Sequence, residues 1–150
     1  MPTTIRETVL AAVATKLDAI SGTNFKRTAT PPVDYDDLPA IRQYSGNHVP
    51  VPQNTGSELR TMRVDVEIYV TAATDDELDP ALNDLYGKVY SALIDPVDPT
   101  HGVPAVRHVR KALYDNPDIL SEDQARSFYG TLLGFEINFE TAESDPYNAG

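Results

Sequence analysis

From residue 128 to residue 146 the chain reads FYGTLLGFEINFETAESDP, and apolar and polar positions alternate for about a dozen residues. Side chains of a strand point to opposite faces, so Leu133, Phe135, Ile137 and Phe139 share one face while Glu136, Asn138 and Glu140 share the other. The pattern predicts a half-buried antiparallel strand, about twice the usual length of 5–6 residues, that stops at Asp145-Pro146. Residues 60–71 repeat the alternation, with Met62, Val64, Val66, Ile68 and Val70 opposed to Arg63, Asp65, Glu67 and Tyr69. They predict a second long strand.

Two segments change period from two to three-and-four. Ile5, Val9, Val13, Leu17 and Ile20 form one apolar stripe behind Thr4-Ile5-Arg6-Glu7, which has the form of a capping box, and Ser21-Gly22 ends the helix. Leu78, Leu82, Leu85, Val89 and Leu93 form another behind Thr74-Asp75-Asp76-Glu77, a second capping box with its acids where the helix dipole favours negative charge. This helix stops at Asp95-Pro96.

The remaining segments carry weaker signals. Residues 24–28 predict a short strand broken by Pro31-Pro32, and an acidic turn at Asp34, Asp36 and Asp37 follows. Leu38-Pro39-Ala40-Ile41 leads into another short strand through Tyr44. Residues 45–58, SGNHVPVPQNTGSE, hold two prolines and two glycines and predict a long mobile loop. Residues 106–114 predict a strand and residues 116–123, with Pro117, an acidic turn. From 142 onward a flexible C-terminal tail is expected. The order gives a single α+β domain over 1–150: a mostly antiparallel twisted sheet with two main helices on one face.

Composition limits the chemistry more than the fold. The 150 residues include no cysteine, so thiolate ligands, disulfides and cysteine nucleophiles are excluded. A net charge of −11 disfavours affinity for a phosphate backbone. Apolar runs are only a few residues long, against the ~18 needed to span a bilayer, so a soluble, unexported protein with no membrane partner is expected. His48, His101 and His108 lack the i, i+4 spacing of a zinc helix, and neither a phosphate-binding glycine loop nor a nucleophile elbow is present. The acids at 34–37 and 75–79 do not follow the order of a calcium loop and read as a solvated turn and a helix cap. No catalytic, metal or cofactor residue is assigned, and no cofactor is expected. Gly130 and Gly134, on the polar face of the last strand, predict a bulge or a close backbone approach by a neighbour.

With the elements placed, the chain resembles the tail terminator (tail-completion, minor tail) proteins of long-tailed bacteriophages over almost its whole length. The resemblance rests on the amphipathic first helix, the Leu38-Pro39-Ala40-Ile41 entry to a strand, the long loop at 45–58, the strand RVDVEIYVTA, the acid-capped helix DDELDPALNDLYGKVYSAL, and the last strand GTLLGFEINFETAESDP. It implies a structural virion protein, assembled in the host cytoplasm, that forms a homohexameric ring on the head-proximal end of the tail tube. The ring would end tube polymerisation and present the head-joining surface, acting by steric capping without catalysis. Its partners would be further copies of itself, the tail tube protein and a neck or head-completion protein.

Within that picture three residue groups are candidates. His48, Val49, Pro50, Val51, Pro52, Gln53 and Asn54 would dock on the tube or neck. Arg107, Arg110 and Lys111, a quarter of all the basic residues, would meet an acidic surface of the next subunit or else balance acids of their own chain, and Tyr147 would reach a neighbour with the tail. Asp65, Glu67, Asp75, Asp76 and Glu77 would line a channel through which DNA passes without specific binding. The competing readings are a neck or head-completion protein, a tail-tube subunit, and a cytoplasmic α+β module that binds a small molecule or peptide.

Overall fold

The computed structural model describes residues 2–27, 35–52, 56–72, 74–123 and 126–148, with side-chain detail for all of these except 35, 47–52, 75, 113–123 and 126–129. Five strands form one sheet in the order β1-β2-β3-β5-β4, and two helices lie on one of its faces. The fold is α+β.

Helix α1 (Ile5–Asp18) starts where its cap predicts: Thr4 Oγ1 accepts from Glu7 N at 3.1 Å. The reciprocal half of the box is absent, because the Glu7 carboxylate turns to Arg27 (2.7 and 3.1 Å). Val9, Leu10, Val13 and Leu17 are buried, and Gly22 takes a left-handed conformation (φ +76°) beyond the helix end. Strand β1 (Asn24–Arg27) then pairs in parallel with β2 (Ala40–Pro52), from Asn24↔Ala40 to Arg27↔Gln43.

β2 corrects the expectation of a loop at 45–58. It runs 13 residues and forms an antiparallel hairpin with β3 (Ser57–Thr71), in register from Ala40↔Tyr69 to Pro52↔Glu58 with a bulge between Ser45 and His48. Prolines at 50 and 52 read as breakers along the chain. They are tolerated because β1 covers only residues 40–43, and their two-residue spacing puts both missing N–H groups on the side away from β3.

Helix α2 (Asp75–Leu93) buries Leu78, Leu82, Leu85, Val89 and Leu93 as its stripe predicts. Its capping box does not close: Thr74 makes no side-chain cap bond, and Glu77 N donates instead to Thr74 O at 3.1 Å. Strands β4 (Val106–Asp123) and β5 (Arg126–Ala142) form the second long hairpin. Residues 116–123 therefore belong to β4 and are not a turn. Register slips between Lys111 and Asp115 and between Asn116 and Ile119 insert extra residues into β4 and destroy the two-residue period there.

The core lies between the helices and one sheet face. Met62, Val64, Val66, Ile68 and Val70 of β3 and Leu133, Phe135, Ile137 and Phe139 of β5 are buried beside each other, with α1 over β1 and β2 and α2 over β3 and β5. β5 is an interior strand between β3 and β4, so its length serves the subunit's own sheet. On its other face, a Cβ at Gly130 would lie 2.6 Å from the Tyr69 ring. The close neighbour predicted for this glycine is thus an aromatic side chain of the same chain.

The segment after Ala142 is folded through Asn148. Asp145 N donates to Ala142 O (3.0 Å), Ala142 N to Asn148 O (2.8 Å) and Glu143 N to Gly56 O (2.9 Å), while Pro146 O accepts from Ile5 N (2.9 Å) at the start of α1. The Asp145 carboxylate turns the chain back by accepting from Tyr147 N and Asn148 Nδ2. The expected free tail is a hydrogen-bonded turn.

Candidate assembly surfaces

Three surfaces carry the residues singled out in the sequence. The first is the β2–β3 hairpin. His48, Val49, Pro50, Val51 and Pro52 pair with Met62, Thr61, Arg60, Leu59 and Glu58, whereas Gln53 and Asn54 lie outside the described residues. The base of this hairpin is stitched to the C-terminal turn. Ser57 Oγ donates to Glu140 Oε1 (2.5 Å), Arg60 reaches both Glu58 (2.7 Å) and Thr141 Oγ1 (3.2 Å), and Ser144 N donates to the other Glu58 oxygen (3.2 Å). Arg6 from α1 adds a bond to Gly46 O at the bulge (2.8 Å). Hairpin, turn and helix start form one connected unit, in which Tyr147 stays about half exposed.

The second surface is the sheet face away from the helices. Antiparallel register places Arg110 of β4, Glu136 of β5 and Arg63 of β3 in one cross-strand row. Arg110 Nε donates to Glu136 (2.7 Å), Arg63 Nε to Asp65 (3.0 Å), and Arg107 binds Glu140 through Nε (2.6 Å) and a terminal nitrogen. Lys111 lies on the other face, its ammonium 5.7 Å from the centre of the Phe135 ring and donating to Ala112 O. Of the two readings open for the basic segment, both arginines pair with acids of their own chain. The Ser57 hydroxyl and then Arg107 hold the Glu140 carboxyl below the usual carboxylate range.

At the β1 end of this face, Glu67 accepts from Tyr69 OH (2.6 Å) and bonds Tyr44. Burial, and then the Glu67 bond, pushes the Tyr69 phenol up; burial and the nearby Glu67 charge raise Tyr44. Arg42 is buried beside them and donates to Asn24 O (2.6 Å) and Ile41 O (3.0 Å), with Asp37 4.0 Å away, tying β1 to β2.

The third surface is the outer side of α2. Asp76 and Glu77 are exposed there, on the opposite layer of the molecule from Asp65 and Glu67. The candidate channel acids are not gathered on one surface. Asp75 lies in the same helical turn, its side chain outside the described residues.

Residues that sequence reasoning missed are mostly partners across strands or loops: Arg63, Tyr44 and Ser57 in the pairs above, and Lys16, which bridges Asp95 (3.2 Å) and Asp98 (3.1 Å) of the α2–β4 loop. No periodicity along the chain announces them, because each is defined by register or by a long-range contact. Among the described residues no three His, Asp or Glu side chains converge as a metal site, and no helix is long and apolar enough to cross a membrane. Comparison with known proteins found no family model that matches the chain and no curated protein that matches it.

Proposed function

We propose that this chain is a structural subunit of a phage tail, assembling into a ring that caps the head-proximal end of the tail tube and offers the surface to which the head is joined. The observation that supports this best is the one-sided build of the subunit. Both helices cover one face of the sheet, while among the described residues no element covers the other face or the outer edges of β2 beyond residue 43 and of β4, which leaves them for contacts with other molecules. The succession helix, two strands, strand, helix, two strands agrees with the order on which the resemblance to tail terminators rests, except that its long loop is here the extension of β2. In this reading the hairpin 45–58 and the joined C-terminal turn are the tube- or neck-facing end, and the acidic character of the ring keeps passing DNA from adhering.

Electron microscopy of the purified protein with isolated tail tubes tests the reading. One cap at a single end of each tube is the expected image. Tubes that continue to lengthen in its presence, or protein bound along their sides, would overturn it.

A further inference from the structure

On the sheet face away from the helices, three arginines stand further out than the carboxylates that hold them. In three of the four arginine–carboxylate pairs described on it the guanidinium stands outward and the acid lies down: side-chain exposure is 48% against 20% for Arg63–Asp65, 54% against 16% for Arg107–Glu140, and 59% against 31% for Arg110–Glu136, whereas Arg42 of the fourth pair is buried beside Asp37. A body approaching this face meets arginine first. The carboxylates beneath are committed to holding those arginines in place, which lowers the ordering cost of a new contact. Arg110 and Arg63 sit in the same cross-strand row on either side of Glu136, about 10 Å apart across two strand spacings, and Arg107 lies about 10 Å further along β4, where it reaches Glu140.

The opposite layer of the same molecule has the complementary sign. Helix α2 carries five acids and one lysine in its 19 residues. With Leu78, Leu82, Leu85 and Val89 turned to the core, Asp76, Glu77 and Asp84 point outward over about 12 Å of helix. Lys88 engages Asp84 (2.9 Å), and both ends of that pair are exposed.

We infer that the uncovered sheet face docks on the outer face of α2 of a second copy of this chain, its outward arginines set against the neighbour's Asp76, Glu77 and Asp84. The two patches match in sign and in length, and they lie on opposite layers, so one copy can use both at once. Such a contact is heterologous, which is the kind that closes rings or grows filaments. The inference rests on the ring reading above and specifies its interface. Copies carrying −11 each repel one another in general, so a local patch of the opposite sign determines which faces meet.

The absence of cysteine makes the test direct. His108→Cys places a thiol on the sheet face beside the arginines, and Asn83→Cys places one on the outer side of α2; both positions are exposed and neither carries a charge in the proposed contact. The two single variants, mixed at millimolar concentration and oxidised, are expected to give a disulfide-linked dimer that neither gives alone, and the double variant a ladder of multimers. Arg110→Glu in the His108→Cys chain should cut the yield about fivefold, and Asp84→Lys in the Asn83→Cys chain should recover it. Absence of the mixed dimer, equal crosslinking of either variant with itself, or a yield indifferent to charge reversal would each overturn the interface. Unpaired circular dichroism spectra that match wild type establish that each variant is folded. Rings on tube ends without the mixed dimer would refute this interface and leave the tail reading standing. The mixed dimer without tube capping would do the reverse.

Discussion

At the residue scale the clearest constraint is the glycine under Tyr69. A methyl group at Gly130 would lie 2.6 and 2.8 Å from two ring carbons and 3.0 Å from Ile68 O, so ring or strand must move. Gly130→Ala is expected to cost about 1–3 kcal/mol, as overpacking does. Combined with Tyr69→Ala it should cost clearly less than the two changes summed, because the clash with the ring is then gone and only the contact with Ile68 O remains; urea unfolding of the four proteins measures the coupling. A second residue-scale effect follows from Glu140. Its carboxyl is held down by Ser57 and Arg107, so its folded-state pKa lies below the unfolded one. The stability it contributes is present above the unfolded value, about 4.3, and is lost as pH falls through the folded value. Glu140→Gln should therefore be less stable than wild type at pH 7, with the gap narrowing below about pH 4 in unfolding curves. A gap that stays constant across that range would show that Glu140 acts by packing alone.

At the scale of elements, what could be read from the chain depended on whether a segment's period survived its context. β3, the helix-facing half of β5, and α2 were legible because each has one face in the core and one outside, so burial writes itself into the spacing of Val, Leu, Ile and Phe. The outer arms of the hairpins were not. Pro50 and Pro52 are breakers in an interior strand and harmless on an edge, and edge status is a property of the sheet, not of the segment. β4 slips register twice around Pro117, which turns a strand into apparent turn residues. The C-terminal turn was hidden for another reason: its partners, Ile5 N and Gly56 O, lie far away along the chain, at the other terminus and in its middle. Ending the chain after Ala142 removes those bonds and the one from Ala142 N to Asn148 O. The truncated protein should keep its fold and lose about 1.5–4.5 kcal/mol, roughly 0.5–1.5 for each hydrogen bond, in urea unfolding. An unchanged midpoint would show that the turn closes nothing.

At the scale of the whole molecule, the candidate surfaces became visible only once two layers were assembled. Along the chain, the net charge hides Arg63, Arg107 and Arg110; folded, their carboxylate partners lie beneath them and the arginines stand outward on the sheet face while α2 keeps acids outside. Two opposing electrostatic effects then act on association, and they have different ranges. Repulsion between copies of charge −11 is long-ranged and operates at low salt, where the Debye length is about 30 Å at 0.01 M. Attraction between the arginine row and α2 acts at contact and fades only as screening approaches that range, about 3 Å at 1 M. Association of the full chain should therefore pass through a maximum near 0.1–0.2 M salt, where repulsion is screened and the contact is not. Sedimentation velocity from 0.01 to 1 M sodium chloride measures this. A rise that continues to 1 M would mean that apolar burial drives assembly, and the arginine row would then have no part in it.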